Sequence, residues 1–97
     1  MVKLIRIIYE KKYILGGSMN KEKVLERINE VFRVIFDDET LEVDENTTAN
    51  DVEGWDSLTH INIIASVEKE FGIDFSTKEV ISMKNIGDMV DIILEKV

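Results

Sequence analysis

The 97-residue chain has no cysteine and no proline. Without cysteine it can build neither a disulfide framework nor a thiolate metal site, and it has no thiol of its own. Its apolar residues are divided among amphipathic runs, none approaching the roughly 18 consecutive apolar residues that a transmembrane helix needs. Cationic charge is scarce: 12 Lys and Arg face 20 Asp and Glu, a formal net charge of −8. That balance argues against a nucleic-acid surface and for basic protein partners. Only one histidine occurs, and no nucleophile, base and orienting group can be assembled into a catalytic set. The length suits one domain with a modest core. The expectation is a cytoplasmic monomer.

Charge is unevenly spread. Residues 1–18 carry Lys3, Arg6, Lys11 and Lys12 against Glu10, a net of +3, which leaves −11 for the remainder. Three readings compete for this apolar, basic stretch, which Gly16-Gly17-Ser18 closes just before Met19. It could be a membrane- or partner-seeking helix or a secretory signal, although charge interrupts its apolar run and no small-residue cleavage pattern follows. The favoured reading is a translated leader or cloning-derived segment, with the domain spanning residues 19–97 and starting at Met19.

From Asn20 to Phe36, Val24, Ile28, Val31, Phe32 and Ile35 recur on one face of a 3.6-residue period. This predicts a helix capped by Asn20, with Glu22, Lys23, Glu26, Arg27 and Glu30 on the wet side. Residues 37–56 are rich in Asp and Glu without sustained periodicity, a long loop with Leu41, Val43 and Val52 as anchors, Val52 first among them. Its carboxylates are dense, but the spacing is not that of an EF-hand loop, and a solvated acidic loop is expected rather than a metal site.

Residues 57–71 have too many apolar positions for one helix face. Ile63, Ile64, Val67 and Phe71 form a core side, while Leu58, Ile61 and Ala65 fall well over 100° away at about 100° per residue and read as a docking stripe. Gly72 is a C-cap. Ser76-Thr77-Lys78-Glu79 is a capping box opening a short helix with Val80 and Ile81. Asn85 caps a last helix carrying Ile86, Met89, Val90, Ile93, Leu94 and Val97, with Gly87 in its first turn, where its low helix propensity matters least. The expected fold is therefore all-α, a small bundle of three main helices and one short one with a long first loop. Ser57 is placed where a helix begins, as a cap or as a site where something is attached.

Asp56-Ser57-Leu58 at that helix start, with Val67-Glu68-Lys69-Glu70-Phe71-Gly72-Ile73 and Asn85-Ile86-Gly87-Asp88-Met89-Val90 downstream, resembles the acyl carrier and peptidyl carrier protein family. The resemblance spans about residues 20–97. It implies that Ser57 receives 4′-phosphopantetheine from coenzyme A through a separate phosphopantetheinyl transferase, with Asp56 helping to position the coenzyme and its metal in that complex; the plainer reading of Asp56 is N-capping, and the two roles are compatible. It also implies a non-catalytic carrier holding acyl or aminoacyl groups as thioesters. Leu58, Ile61 and Ala65 match the family's partner contacts, and Glu68 joins them as a candidate for acyl-loading and acyl-transfer enzymes with basic docking patches.

The chain departs from the housekeeping fatty-acid carriers at Trp55, Thr59, His60, Asn62 and Lys69, and looks more like stand-alone carriers of specialised pathways. His60 reads as a cap or partner contact ahead of a catalytic base. An unmodified acidic adaptor, binding a fixed partner through the Leu58, Ile61 and Ala65 stripe, is the alternative from a different class. An acidic-loop metal-binding protein ranks third.

Overall fold

Asn20 opens the first helix as its sequence position predicts, its Oδ1 accepting the Lys23 N–H at 2.9 Å. In the computed structural model the described residues are 19–97, so the leader reading of residues 1–18 lies outside them. The helices are α1 (Lys21–Ile35), α2 (Ser57–Phe71), α3 (Thr77–Ser82) and α4 (Ile86–Lys96), with a 3₁₀ turn at Ala49–Asp51. No strand occurs among the described residues. The expected three long helices and one short one are all present.

The apolar faces meet as the periodicity predicts. Val24, Ile28, Val31 and Phe32 of α1 pack with Ile63, Ile64, Val67 and Phe71 of α2 and with Ile86, Met89, Val90 and Ile93 of α4. Burying each large side chain of this kind stabilises the fold by about 1.5–3 kcal/mol relative to exposure. Ile35 and Leu94 are only partly buried, and Val97 lies outside the core. In α3 the adjacent Val80 and Ile81 cannot share a face, and it is Ile81 that points outward, at 77% exposure. Two expected punctuation marks are in place: the Ser76–Glu79 capping box closes in both directions, and Gly72 ends α2 at φ 66°.

The long first loop is tied down at four points that its composition did not announce. Asn29, buried on α1, donates from Nδ2 to the Val43 carbonyl at 3.1 Å and accepts the Val43 N–H on Oδ1 at 2.7 Å. Arg33 Nε donates to the Leu41 carbonyl at 2.8 Å. The Ile86 and Gly87 N–H groups, two of the unpaired donors of the first turn of α4, bond the carbonyls of Thr47 at 3.0 Å and Glu45 at 2.8 Å. Val43 thereby reaches the core beside Val52 and is the more deeply buried of the two.

Two expectations change here. Gly87 is not merely tolerated, because a Cβ there would sit 3.0 Å from the Glu45 carbonyl. Arg27 is not on the wet side either. Its guanidinium bonds Glu70 Oε2 at 2.7 Å and the Glu70 carbonyl at 2.9 Å, lies 4.9 Å from the centre of the Phe71 ring, and is only 12% exposed.

Within the loop, Asp38, Asp44 and Asp51 behave differently from Glu39, Glu42 and Glu53. Asp38, Asp44 and Asp51 accept hydrogen bonds from neighbouring backbone or hydroxyl groups at Thr40, Asn46 and Thr48. Glu39, Glu42 and Glu53 are exposed and bond nothing among the described residues. The shorter side chain folds back on its own backbone; the longer one does so less readily.

Candidate functional site

The approach to Ser57 is built by Gly54 and Trp55. Gly54 turns the chain at φ 88°, a backbone conformation that glycine adopts freely. Trp55 then plants its ring edge-on against Phe32, with centroids 5.1 Å apart. On its other side it stacks with His60 at 6.0 Å and 22°, and Trp55 Nε1 donates to His60 Nδ1 at 3.2 Å. Sequence reading marked Trp55 only as unusual. Its partners lie 23 residues before it and one helical turn after it, and nothing local reveals them.

With Trp55 anchored, the next residues turn outward. Asp56, not Ser57, is the cap: its Oδ1 accepts the Thr59 N–H at 2.8 Å. The Asp56 carboxyl is held below the usual carboxylate range, first by that backbone bond and then by the Thr59 side chain. Ser57 is the first residue of α2. It is exposed, and among the described residues its hydroxyl has no hydrogen-bond partner. The serine is thus released from the capping role that its position suggested.

His60 is half-buried, and desolvation lowers its pKa from the ordinary 6.5. A neutral imidazole has one acceptor nitrogen. Here that nitrogen is Nδ1, already taken by Trp55, so His60 has none left to draw a proton from Ser57. Neither cap nor base, it is one half of an aromatic lock. The chain's sole histidine leaves the serine unactivated, and a nucleophilic reaction of its hydroxyl needs a base from outside.

The stripe on α2 is where periodicity put it. Leu58 is 80% exposed, Ile61 66%, and Ala65 is also exposed. Glu68 lies on the same side of the helix, but one of its carboxylate oxygens accepts the Phe75 N–H at 2.8 Å and so holds the α2–α3 connection. Ile81 on α3 is a further outward apolar residue not singled out from sequence. Among the described residues no group of three or more His, Cys, Asp or Glu is arranged to hold a metal ion, and no helix is long and apolar enough to cross a membrane.

Comparison with known proteins bears on this arrangement. A family model described as a phosphopantetheine attachment site matches residues 22–93. The acyl carrier protein of Coprothermobacter proteolyticus is 32% identical over 78 residues, covering 77% of this chain and 92% of the relative. That of Rickettsia bellii (strain RML369-C) is 35% identical over 69 residues, covering 67% and 79%. The solution NMR structure of a holo acyl carrier protein from Geobacter metallireducens superposes with a TM-score of 0.71 at 38% identity, covering 75% of this chain and 84% of that one.

Proposed function

The chain belongs to the phosphopantetheine-bearing acyl carrier protein family, and from that membership we propose that Ser57 is its attachment residue. The protein is a carrier of acyl groups on a 4′-phosphopantetheine arm. When bound, the arm supplies the thiol that a chain without cysteine lacks, and acyl groups ride on it as thioesters.

One observation supports Ser57 above all: it is an exposed, uncommitted hydroxyl at the first position of α2, with the cap supplied by Asp56. A serine engaged in capping would have to break that bond before reacting. In this reading Ser57 Oγ forms a new bond to the pantetheine-side phosphorus of coenzyme A as the pyrophosphate P–O bond breaks and adenosine 3′,5′-bisphosphate leaves, and the serine proton passes to a base on a phosphopantetheinyl transferase, since His60 is occupied by Trp55. Asp56 has a second role in positioning coenzyme and metal in that complex. Its lowered pKa keeps it anionic for both tasks.

Leu58, Ile61 and Ala65, flanked by the acidic loop and joined by Glu68, form the surface read by acyl-loading and acyl-transfer enzymes carrying basic patches. Such contacts are weak and salt-sensitive, because exposed charges are screened over roughly 10 Å in ordinary buffer. The carrier works as a cytoplasmic monomer, comprises residues 19–97, and serves a specialised pathway with acyl or aminoacyl cargo.

The test is direct. Purified protein is incubated with coenzyme A, Mg²⁺ and a promiscuous phosphopantetheinyl transferase, and intact mass is compared for wild type and Ser57→Ala. Wild type gains one arm and the variant none. Equal gain in both would remove Ser57 as the site, and no gain in wild type would remove the carrier assignment for this chain.

A further inference from the structure

A phosphodiester on Ser57 would arrive in a poor place for an anion. Asp56 stands beside it, and Asp56 has already drawn on the donors that a helix N-terminus normally offers an anion. The Thr59 N–H bonds its carboxylate, the Thr59 side chain and the Leu58 N–H contribute to it as well, and the His60 N–H bonds its carbonyl at 2.8 Å.

One uncommitted side-chain donor remains on that flank. Ser57 and His60 are the first and fourth residues of α2, and side chains at this spacing are neighbours, with Cβ atoms about 5–6 Å apart. Helical side chains lean toward the N-terminus. The His60 ring does so, because it reaches Trp55, which precedes the helix. By donating to Nδ1, Trp55 fixes the neutral tautomer with its proton on Nε2. That N–H has no partner among the described residues.

We propose that His60, with its tautomer set by Trp55, is a positioning residue that donates from Nε2 to the phosphodiester carried on Ser57. The Trp55–His60 pair then adds a side-chain donor to a helix terminus whose Leu58 and Thr59 N–H groups are drawn toward Asp56, and it orients the first atoms of the arm relative to the Leu58 and Ile61 stripe. The proposal rests on Ser57 being the attachment residue.

The experiment uses the full chain in both forms. Apo protein is converted with coenzyme A and a promiscuous transferase, conversion is read by mass, and the imidazole is titrated by NMR between about pH 5 and 8. His60 is the only histidine, so its signal needs no assignment. The phosphorus resonance of the holo form is followed over the same range, where carboxylates of ordinary pKa near 4 stay ionised and a phosphodiester does not titrate.

The His60 midpoint is expected to be higher in the holo than in the apo form, since an adjacent anion favours imidazolium. The phosphorus signal should move with the same midpoint. In His60→Gln, which keeps a neutral donor, the signal should stay near its high-pH position and no longer titrate; in His60→Leu it should resemble a free phosphodiester. Full conversion with an unchanged His60 midpoint, or a phosphorus shift flat across the range, would overturn the proposal while leaving Ser57 in place. Failure to convert would instead overturn the Ser57 assignment and the proposal with it.

Discussion

The side-chain amide of Asn29 and the backbone of Val43 form a closed pair, with each group donating one hydrogen bond and accepting one, at 3.1 and 2.7 Å. Asn29 thus offers the loop the pairing that a neighbouring strand would, in a chain region with no strand. Among the described residues it is the only polar one buried in the core, and its Nδ2 also reaches the Leu25 carbonyl at 3.0 Å.

Removing this side chain should loosen the loop and weaken the fold together. Asn29→Ala leaves the Val43 N–H and carbonyl buried without partners, for a loss of about 2–3 kcal/mol. Urea denaturation gives the magnitude, and hydrogen exchange should show Val43 losing protection. A loss under about 0.5 kcal/mol, the range of ordinary surface changes, would mean that the loop holds without the clip.

Gly87→Ala should destabilise, against its helix propensity. Alanine is favoured over glycine inside a helix by up to about 1 kcal/mol, but here the new methyl meets the Glu45 carbonyl at 3.0 Å and Asn85 Oδ1 at 3.2 Å. The Glu45 oxygen cannot retreat without giving up the Gly87 N–H. A rise in the thermal midpoint would show that the loop yields more easily than this geometry implies.

Stability should fall as pH drops through the range just below 6.5. The folded pKa of His60 lies under its ordinary value because of desolvation, so the unfolded chain binds the proton first. In that window the unfolded state holds more protons, and stability rises with pH. The contribution is fully present above about 6.5, declines below it, and levels off once the folded state protonates too. Protonating Nδ1 also removes the acceptor for Trp55 Nε1, so tryptophan emission should report the change. The step should vanish in His60→Gln, and a step of equal size in that variant would assign it to other groups.

Ile61→Asp should leave the fold within about 0.5 kcal/mol of wild type, because Ile61 is 66% exposed, and should slow acyl transfer by partner enzymes. Ile64→Asp, against the core, should unfold the domain by burying a charge. Circular dichroism separates the two. If Ile61→Asp unfolds the protein, the two-faced description of α2 is wrong.

What could be read from the sequence was what is decided locally. The Ser76–Glu79 box, the caps at Asn20 and Asn85, the Gly72 terminator and the split apolar faces of α2 depend on residues within a turn or two, and each stands where its spacing put it. What could not be read depends on distant partners. Arg27 looked like a solvated charge until Glu70 and Phe71 met it. Gly87 looked like a low-cost glycine in a first turn until Glu45 met it, and Trp55 looked merely odd until Phe32 and His60 closed on it. The site itself lay between these cases. A helix start at Asp56-Ser57 was legible, and so was a capping reading for Asp56, but which of the two residues caps and which stays free turns on a one-residue difference in where the helix starts.

The contrast between the loop's two acidic residue types separates folding from addressing. Because the aspartates shape the turns and backbone carbonyls moor the loop to α4, the outward charges at Glu39, Glu42 and Glu53 have no architectural duty. On the proposed carrier reading they are charges left free for partner enzymes to meet. Neutralising or reversing them should change which enzymes the carrier visits while the scaffold beneath stays the same, so two copies differing only at these glutamates could run side by side with separate clienteles.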